Sequence, residues 1–409
     1  FIRVNIAIHL LNGLLACLFF LQLTRARSGE HPNDKLIAIA AMALWLFLPL
    51  LASSSLMIVQ RMATLTATFM LLGLNGYLYA RSRIESHSGT ALTGMTAALV
   101  LGTALAVLSK ENGALLPVLV LVMEATLLKP PASVSMKRWR TWGLVFLALP
   151  TAAVIVFLIS YLPYSEDTVL RRGMTGWERL ITQAGVLWEY LLNAFVARPA
   201  AYGPFHDAYP LARSIANPAT LAAVLSWIVV IGGAILWRRK YPLIAFAVLW
   251  FITGHLLEST TVPLELYFEH RNNLPNMGPV IALSYSLLSV TGQYSNVARL
   301  AIVAYVLMNA AILLSVTSLW GKPLQAASYW NVNSPNSVRA AAHLAARQMT
   351  DISGPVGIIT LQEFVARHPE HAYLRLHELA VSCRLASEPD YTSTIISVEE
   401  ALPSIEFDN

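Results

Sequence analysis

"LIAFAVLWFITGHLLESTTVPLELYFEHRNNLPNMGPVIALSYSLLSV", residues 243–290, sets two apolar runs around a knot of ionisable groups. Neither outer run contains an Asp, Glu, Lys or Arg. The middle holds Glu258, Glu265, Glu269, His270 and Arg271, followed by Asn272 and Asn273. The whole chain repeats the pattern of its outer runs. Of 409 residues 56% are hydrophobic and only 12% charged, with a mean hydropathy of +0.57. A soluble domain carries about 25% charged residues. Halved charge and recurring apolar runs of about 17–25 residues imply an all-α, polytopic helical membrane protein. The runs are continuous rather than alternating, which excludes a closed β-barrel.

Ten spans are expected, near 1–22, 37–55, 62–80, 92–109, 113–128, 141–162, 220–237, 242–257, 278–292 and 299–319. One set of loops carries Arg25, Arg27, Lys35, Arg81, Arg83, Lys129, Lys137, Arg138, Arg140, Arg238, Arg239, Lys240 and Arg299. The short loops of the other set carry only Arg61, Lys110 and Arg271. An excess of Lys and Arg in short loops marks the cytoplasmic side. The 258–277 loop, the long loop 163–219, "SKEN" at 109–112 and Gln60–Arg61 then share the outer face of a bacterial inner membrane. The pI of 9.2 reflects this orientation signal and gives no reason to expect a nucleic-acid partner. The chain opens at Phe1 on an apolar run without Met or a charged leader, so no signal peptide is read and the true N-terminus is expected upstream. Two cysteines, Cys17 in a span and Cys383 near the end, form no disulfide framework.

Two segments outside the spans have structure of their own. "GWERLITQAGVLWEYLLNAFVARP", residues 176–199, repeats apolar residues at helical spacing. It is expected to lie in the outer interface, with Trp177 and Trp188 as anchors and Pro199 as its stop. Residues 321–409 change character to moderately charged amphipathic segments. Ser334 before Pro335 reads as a helix N-cap. "HPEHAYLRLHELA" is similar to the junction of a tetratricopeptide array, so a small solenoid-like helical domain is expected after a membrane domain at 1–320.

Ionisable groups at a membrane edge are costly to hold, so they are candidates for chemistry unless snorkelling or packing pairs account for them. Glu265 and Glu269 are spaced i, i+4, and one helical turn would set both carboxylates on one side. Such a pair does acid–base work or holds a divalent cation, with His270 beside it. Arg271 suits a phosphate. Lys110, Glu111 and Asn112 form a tight turn; Gln60 and Arg61 end a span; His206 and Asp207 sit in "GPFHDAY". Asn5, His9 and Asn12 share one face of the first span and are expected to hold helices together. There is no Walker loop, GxGxxG, CxxC, HExxH or GxSxG, so nucleotide chemistry is unsupported.

Five blocks together resemble the bacterial GT-C membrane glycosyltransferases related to tetratricopeptide-repeat O-mannosyltransferases. They are "RVNIAIHLLNGLLACLFFLQL", "LPLLASSSLMIVQRMATLTATFMLLGLNGYLYAR", "SKENGALLPVLVLVMEATLL", "RLITQAGVLWEYL…RP…HD" and "GHLLESTTVPLELYFEHRNNLPNMGP". The resemblance implies an enzyme of protein O-glycosylation, moving a hexose such as mannose from a polyprenyl-phosphate carrier. The acceptor would be a hydroxyl of a protein or glycan on the outer face. It casts Glu269, Glu265 and His270 as catalytic candidates, and Arg271, Arg61 and Lys110 as contacts to the donor phosphate. Gln60, Glu111, Asn112, Glu258, Asn272, Asn273, His206 and Asp207 would line the pocket. The acidic base of that family sits in a first outer loop, which here would precede Phe1. The family's His-Pro is Leu48-Pro49 in this chain. Two rivals remain. A transporter or flippase for lipid-linked sugars predicts mid-membrane charges, broken spans and an internal repeat, whereas the sequence has its charges at the outer ends and no repeat. A non-catalytic membrane anchor for a repeat scaffold predicts featureless outer loops.

Overall fold

The computed structural model describes residues 2–29 and 32–368, and among them the chain is helical with no strand. The first half holds α1 (Ile2–Ser28), α2 (Asp34–Leu46), α3 (Ala52–Leu56), α4 (Arg61–Arg81), α5 (Ser88–Ser109) and α6 (Leu116–Thr126). Next come α7 (Met136–Gly143), α8 (Leu149–Ser160), α9 (Glu166–Arg172) and α10 (Gly176–Phe195). The second half continues with α11 (Pro218–Leu236), α12 (Pro242–Gly254), α13 (Met277–Leu288), α14 (Ser295–Trp320), α15 (Pro323–Asn333), α16 (Val338–Asp351) and α17 (Gly354–Arg367).

Five helices are long and apolar enough to cross a membrane, and six if α2 and residues 49–56, bent by 55°, count as one broken span. The expected ten are not all found, and each shortfall has a local cause. α4 occupies the expected place over 21 residues but buries Thr64, Thr66, Thr68 and Asn75, polar residues that lower its hydropathy. The α5–α6 connection replaces helix with a tight turn at Glu111–Leu115. Gly113 there lies so close to Ala106 that a Cβ would stand 2.3 Å from its carbonyl carbon. α12 and α13 have 13 and 12 residues; at about 1.5 Å per residue each rises about 20 Å, short of a hydrocarbon core about 30 Å thick.

The polar stripe on α1 does what its spacing predicts. The Asn12 amide donates to Thr64 O at 2.8 Å and its oxygen accepts from Thr68 Oγ1 at 2.7 Å. Asn5 donates to Met57 O, and the Arg61 Nε donates to Asn5 Oδ1 at 2.9 Å. Small residues close the α4–α5 crossing, where a Cβ on Gly102 would meet the Gly73 Cα at 2.8 Å.

The two ends of the bundle differ. Arg27, Lys129, Arg238 and Arg239 line one cavity of about 510 Å³ at the end where α4 and α6 finish. The opposite end collects Lys110, Glu258, His270 and Arg271.

α10 forms as its sequence predicts, with a Thr175–Glu178 capping box at its start. Trp188 stacks on Trp227 of α11 at 4.4 Å and donates to Ser226 Oγ. Ser334 caps nothing at its expected place. α15 ends there, and the N-cap of α16 is Ser337, whose Oγ accepts from the Ala340 amide. α16 and α17 pack as an antiparallel pair on a small core of Ala341, Ala345, Leu361 and Phe364. Cys383 and nearly all of the tetratricopeptide-like stretch lie outside the described residues.

Candidate functional site

The segment between α12 and α13 is not the helical turn its carboxylate spacing suggests. Pro263 interrupts it, and Phe268 is extended at φ −149°, ψ 128° before a short 3-10 turn at Glu269–Asn272. Side chains from α10 hold it in place. The Arg179 guanidinium, fully buried, donates to the carbonyls of Glu258 (2.8 Å), Glu265 (3.2 Å) and Leu264. Gln183 donates to Leu266 O at 2.8 Å, and the Phe268 amide donates to Tyr190 Oη at 2.8 Å. The Asn193 amide donates to Tyr267 Oη. Arg271 grips the same segment, donating to Glu265 O at 2.8 Å and Leu266 O at 3.1 Å. Buried carbonyls need donors, and two guanidiniums satisfy several at once.

Because of this clamp, Glu265 and Glu269 face different partners. Glu265 turns outward to Arg339 of α16 at 2.5 Å. Glu269 is buried, accepts from the Gly203 amide at 2.8 Å, and lies 3.7 Å from His206 Nε2. The expected carboxylate pair is therefore not formed. Among the described residues no three His, Cys, Asp or Glu side chains come together as a metal site. Asp207 is engaged with α16. It accepts from Ser337 Oγ and the Arg339 amide, capping the start of α16.

The residues that do converge are Lys110, Asn112, Glu258, His270, Arg271 and Asn273, around a cavity of about 30 Å³ floored by Thr66 and Met70 of α4. That is room for about one water. Glu258 is 3% exposed and is bonded by both Lys110 and Asn112. Burial alone would raise its carboxyl, but Lys110, with Arg271 behind it, overrides burial and holds it at about 2. Burial pushes the His270 imidazole down to about 3, so it is neutral near pH 7. The lining then carries two cations, Lys110 and Arg271, against one carboxylate. Arg179 behind the wall adds a third cation, and among the described residues neither it nor Arg271 meets a carboxylate within 4.0 Å. The centre has a surplus of positive charge.

Beside it lies a band of unmatched polarity. The side-chain oxygen and nitrogen of Asn273 and of Asn276, and the hydroxyls of Ser53, Ser54 and Ser55 on α3, are buried without a hydrogen-bond partner. α3 packs directly on the Glu269–Asn272 turn. Buried polar atoms are normally satisfied, so a group of them calls for a cause such as a ligand or an ion.

The remaining candidates fall outside the cavity. Glu111 is exposed, and Gln60 and Arg61 sit at the start of α4 away from the lining. Asn272 is fully buried and donates to Glu269 O, bracing the turn. Arg179 and the serine triplet were not singled out from sequence. A signal for the former exists: Arg179, Gln183, Tyr190 and Asn193 repeat at helical spacing and put a polar stripe on the buried side of α10.

No family model, curated protein or solved structure matches this chain. Fold and site together define a class: an all-helical protein with at least five helices able to cross a membrane, and a buried, cation-rich polar centre at one end of the bundle.

Proposed function

We propose that the protein is an integral-membrane glycosyltransferase of the GT-C kind, using a sugar carried on a polyprenyl phosphate. The observation that carries this reading is the cation surplus of the buried centre, Lys110 and Arg271 against Glu258 alone. Desolvated cations stabilise negative charge far better than surface ones, and a phosphate leaving group is the charge such a transfer generates. A phosphate oxygen is of water size and fits the 30 Å³ cavity, with the sugar outside it. Arg271 is held rigid by two carbonyls, so its guanidinium is fixed before any ligand arrives.

In the transfer, the acceptor hydroxyl oxygen bonds to the anomeric carbon. The bond from that carbon to the carrier phosphate breaks, and the phosphate departs with its electron pair. The acceptor proton passes to a carboxylate. Glu269 is the candidate carboxylate, with an imidazole, His206, beside it. The charge asymmetry of the loops supports a site on the outer face of a bacterial inner membrane, where the α15–α17 helices would present a protein acceptor.

The test is transfer of radiolabelled sugar from polyprenyl phosphate by membranes holding the full-length protein. Arg271→Ala is expected to lose activity about a hundredfold, and Glu269→Ala to lose it as well. Unchanged transfer in both variants sinks the residue assignment. A flippase is the second reading, favoured by the 55° break after α2 and the half-length α12 and α13. Such discontinuous helices build transporter centres. A flippase moves labelled lipid-linked sugar across vesicles without transferring it.

A further inference from the structure

A second feature lies at the opposite end of the bundle. α5 and α7 both begin there and run side by side as parts of separate membrane-crossing candidates, Ser88–Ser109 and Met136–Ser160. Between them runs an open groove of about 920 Å³. Its walls are Val100 and Leu101 on one side and Val145 and Phe146 on the other. Trp142 closes the floor, its Nε1 donating to Thr96 Oγ1 at 2.9 Å. Thr93 and Thr96 spend their own hydroxyl protons on Gly89 O and Leu92 O of their helix, so they present methyl groups.

Three observations identify an occupant. First, the groove is apolar along its length and basic at its mouth, where Lys137 and Arg138 line it beside Ser135. Both cations are exposed, and among the described residues neither meets a carboxylate within 4.0 Å. Second, its length suits one leaflet. At about 1.5 Å per residue the wall from Lys137 to Phe146 rises about 14 Å, half of a hydrocarbon core about 30 Å thick. An acyl chain of one leaflet matches that rise, and a long polyprenyl chain overruns it. Third, the far wall is irregular: Leu144–Ala148 winds as a π turn between α7 and α8, and both Val145 and Phe146 belong to it. π turns persist mostly where a helix surface is put to use.

We infer that this groove is a binding site for an anionic phospholipid, with its phosphate held by Lys137 and Arg138 and one acyl chain lying against Val100, Leu101, Val145 and Phe146. The site is separate from the polar centre and independent of the reaction assigned to it. Native mass spectrometry of the full chain, released from micelles containing phosphatidylglycerol or phosphatidylcholine of identical chains, tests it. Phosphatidylglycerol should be retained at least about tenfold more than phosphatidylcholine, and Lys137→Ala with Arg138→Ala should lose that excess. Val145→Trp, which fills the groove and leaves both cations in place, should also lose retained phosphatidylglycerol. Equal retention of the two lipids, or wild-type retention by the double variant, overturns the proposal. So does displacement of the lipid by inorganic phosphate. Because Lys137 and Arg138 are exposed, the double variant keeps the wild-type unfolding midpoint.

Discussion

α4 carries a buried ionic cluster at each end, and the two are built to opposite rules. At its C-terminal end Glu124 accepts from Tyr77 Oη at 2.7 Å and from Arg81 Nε at 3.0 Å, while Arg81 also donates to Lys129 O at 2.5 Å. One carboxylate meets one guanidinium and one phenol, so Glu124, Arg81 and Tyr77 satisfy one another. Near its N-terminal end Thr66 and Met70 floor a cavity where Lys110 and Arg271 outnumber Glu258, beside asparagines and serines with no partner. A matched buried pair locks helices. A surplus is tolerated only where the surroundings over-determine it, which is the signature of a site that interacts with something else.

The largest effect should separate the two clusters by neutralising each carboxylate in turn. Glu258→Gln leaves Lys110 and Arg271 around one buried cavity with no anion, and removing one partner of a buried pair costs about 3–5 kcal/mol. Glu124→Gln keeps an acceptor for Tyr77 and Arg81 and leaves no surplus of more than one charge, so about 1–2 kcal/mol is expected. Unfolding midpoints in detergent measure both. Adding Lys110→Met to Glu258→Gln should recover part of the loss, since it restores the original charge surplus. Equal losses for Glu258→Gln and Glu124→Gln would erase the distinction.

Acid should act on the site end with a sign that follows from its shifted groups. His270 takes its proton near 6.5 when unfolded but near 3 when folded. The unfolded chain therefore binds the extra proton between those values, and stability falls as pH drops through that window. Glu258, ordinarily near 4.5 and held at about 2, adds loss of the same sign below 4.5. Between 6.5 and 4.5 the His270 contribution stands clear of Glu258, with a slope of about 1.4 kcal/mol per pH unit. His270→Asn should flatten the stability profile in that interval by this amount. An unchanged slope would mean that the imidazole is not buried as the fold places it.

How far the sequence foretold these clusters depended on the range of the interactions. The apolar runs and the α1 stripe of Asn5, His9 and Asn12 were legible because they are local and periodic. Glu258, Lys110 and Asn112 were each legible as a polar residue at an apolar edge, but their meeting was not, since Lys110 and Glu258 pair across a large sequence separation. The i, i+4 reading of Glu265 and Glu269 failed because it assumed a helix that the donors of Arg179 and Arg271 replace with extended chain. Arg179 itself hid among the exposed charges of its loop, with Arg171 and Arg172 the more conspicuous. Of the ten expected spans, five or six stand out by length and composition among the described residues; the apolar runs did not reveal that α12 and α13 stop at 13 and 12 residues.

The smallest effect tests where the site end stops. Glu265 and Asp207 were expected beside the polar centre, yet both are engaged by α16, through Arg339 and Ser337. The Arg339 side chain is 53% exposed and Glu265 28%, so the pair is solvent-screened and worth about 0–1 kcal/mol. Asp207 supplies a helix cap, worth about 1 kcal/mol. Arg339→Ala should leave the unfolding midpoint within about 1 °C, because the bundle core takes no part in this contact. Arg339→Ala combined with Asp207→Ala should raise hydrogen exchange in the first turn of α16 severalfold, since both anchors of that terminus are then gone. Exchange along the 258–268 segment should stay as it was, because Arg179 and Arg271 hold that backbone from the other side. If exchange rose there too, α16 would be a working wall of the polar centre, and the boundary between a docked helix pair and a ligand site would have to be redrawn to include it.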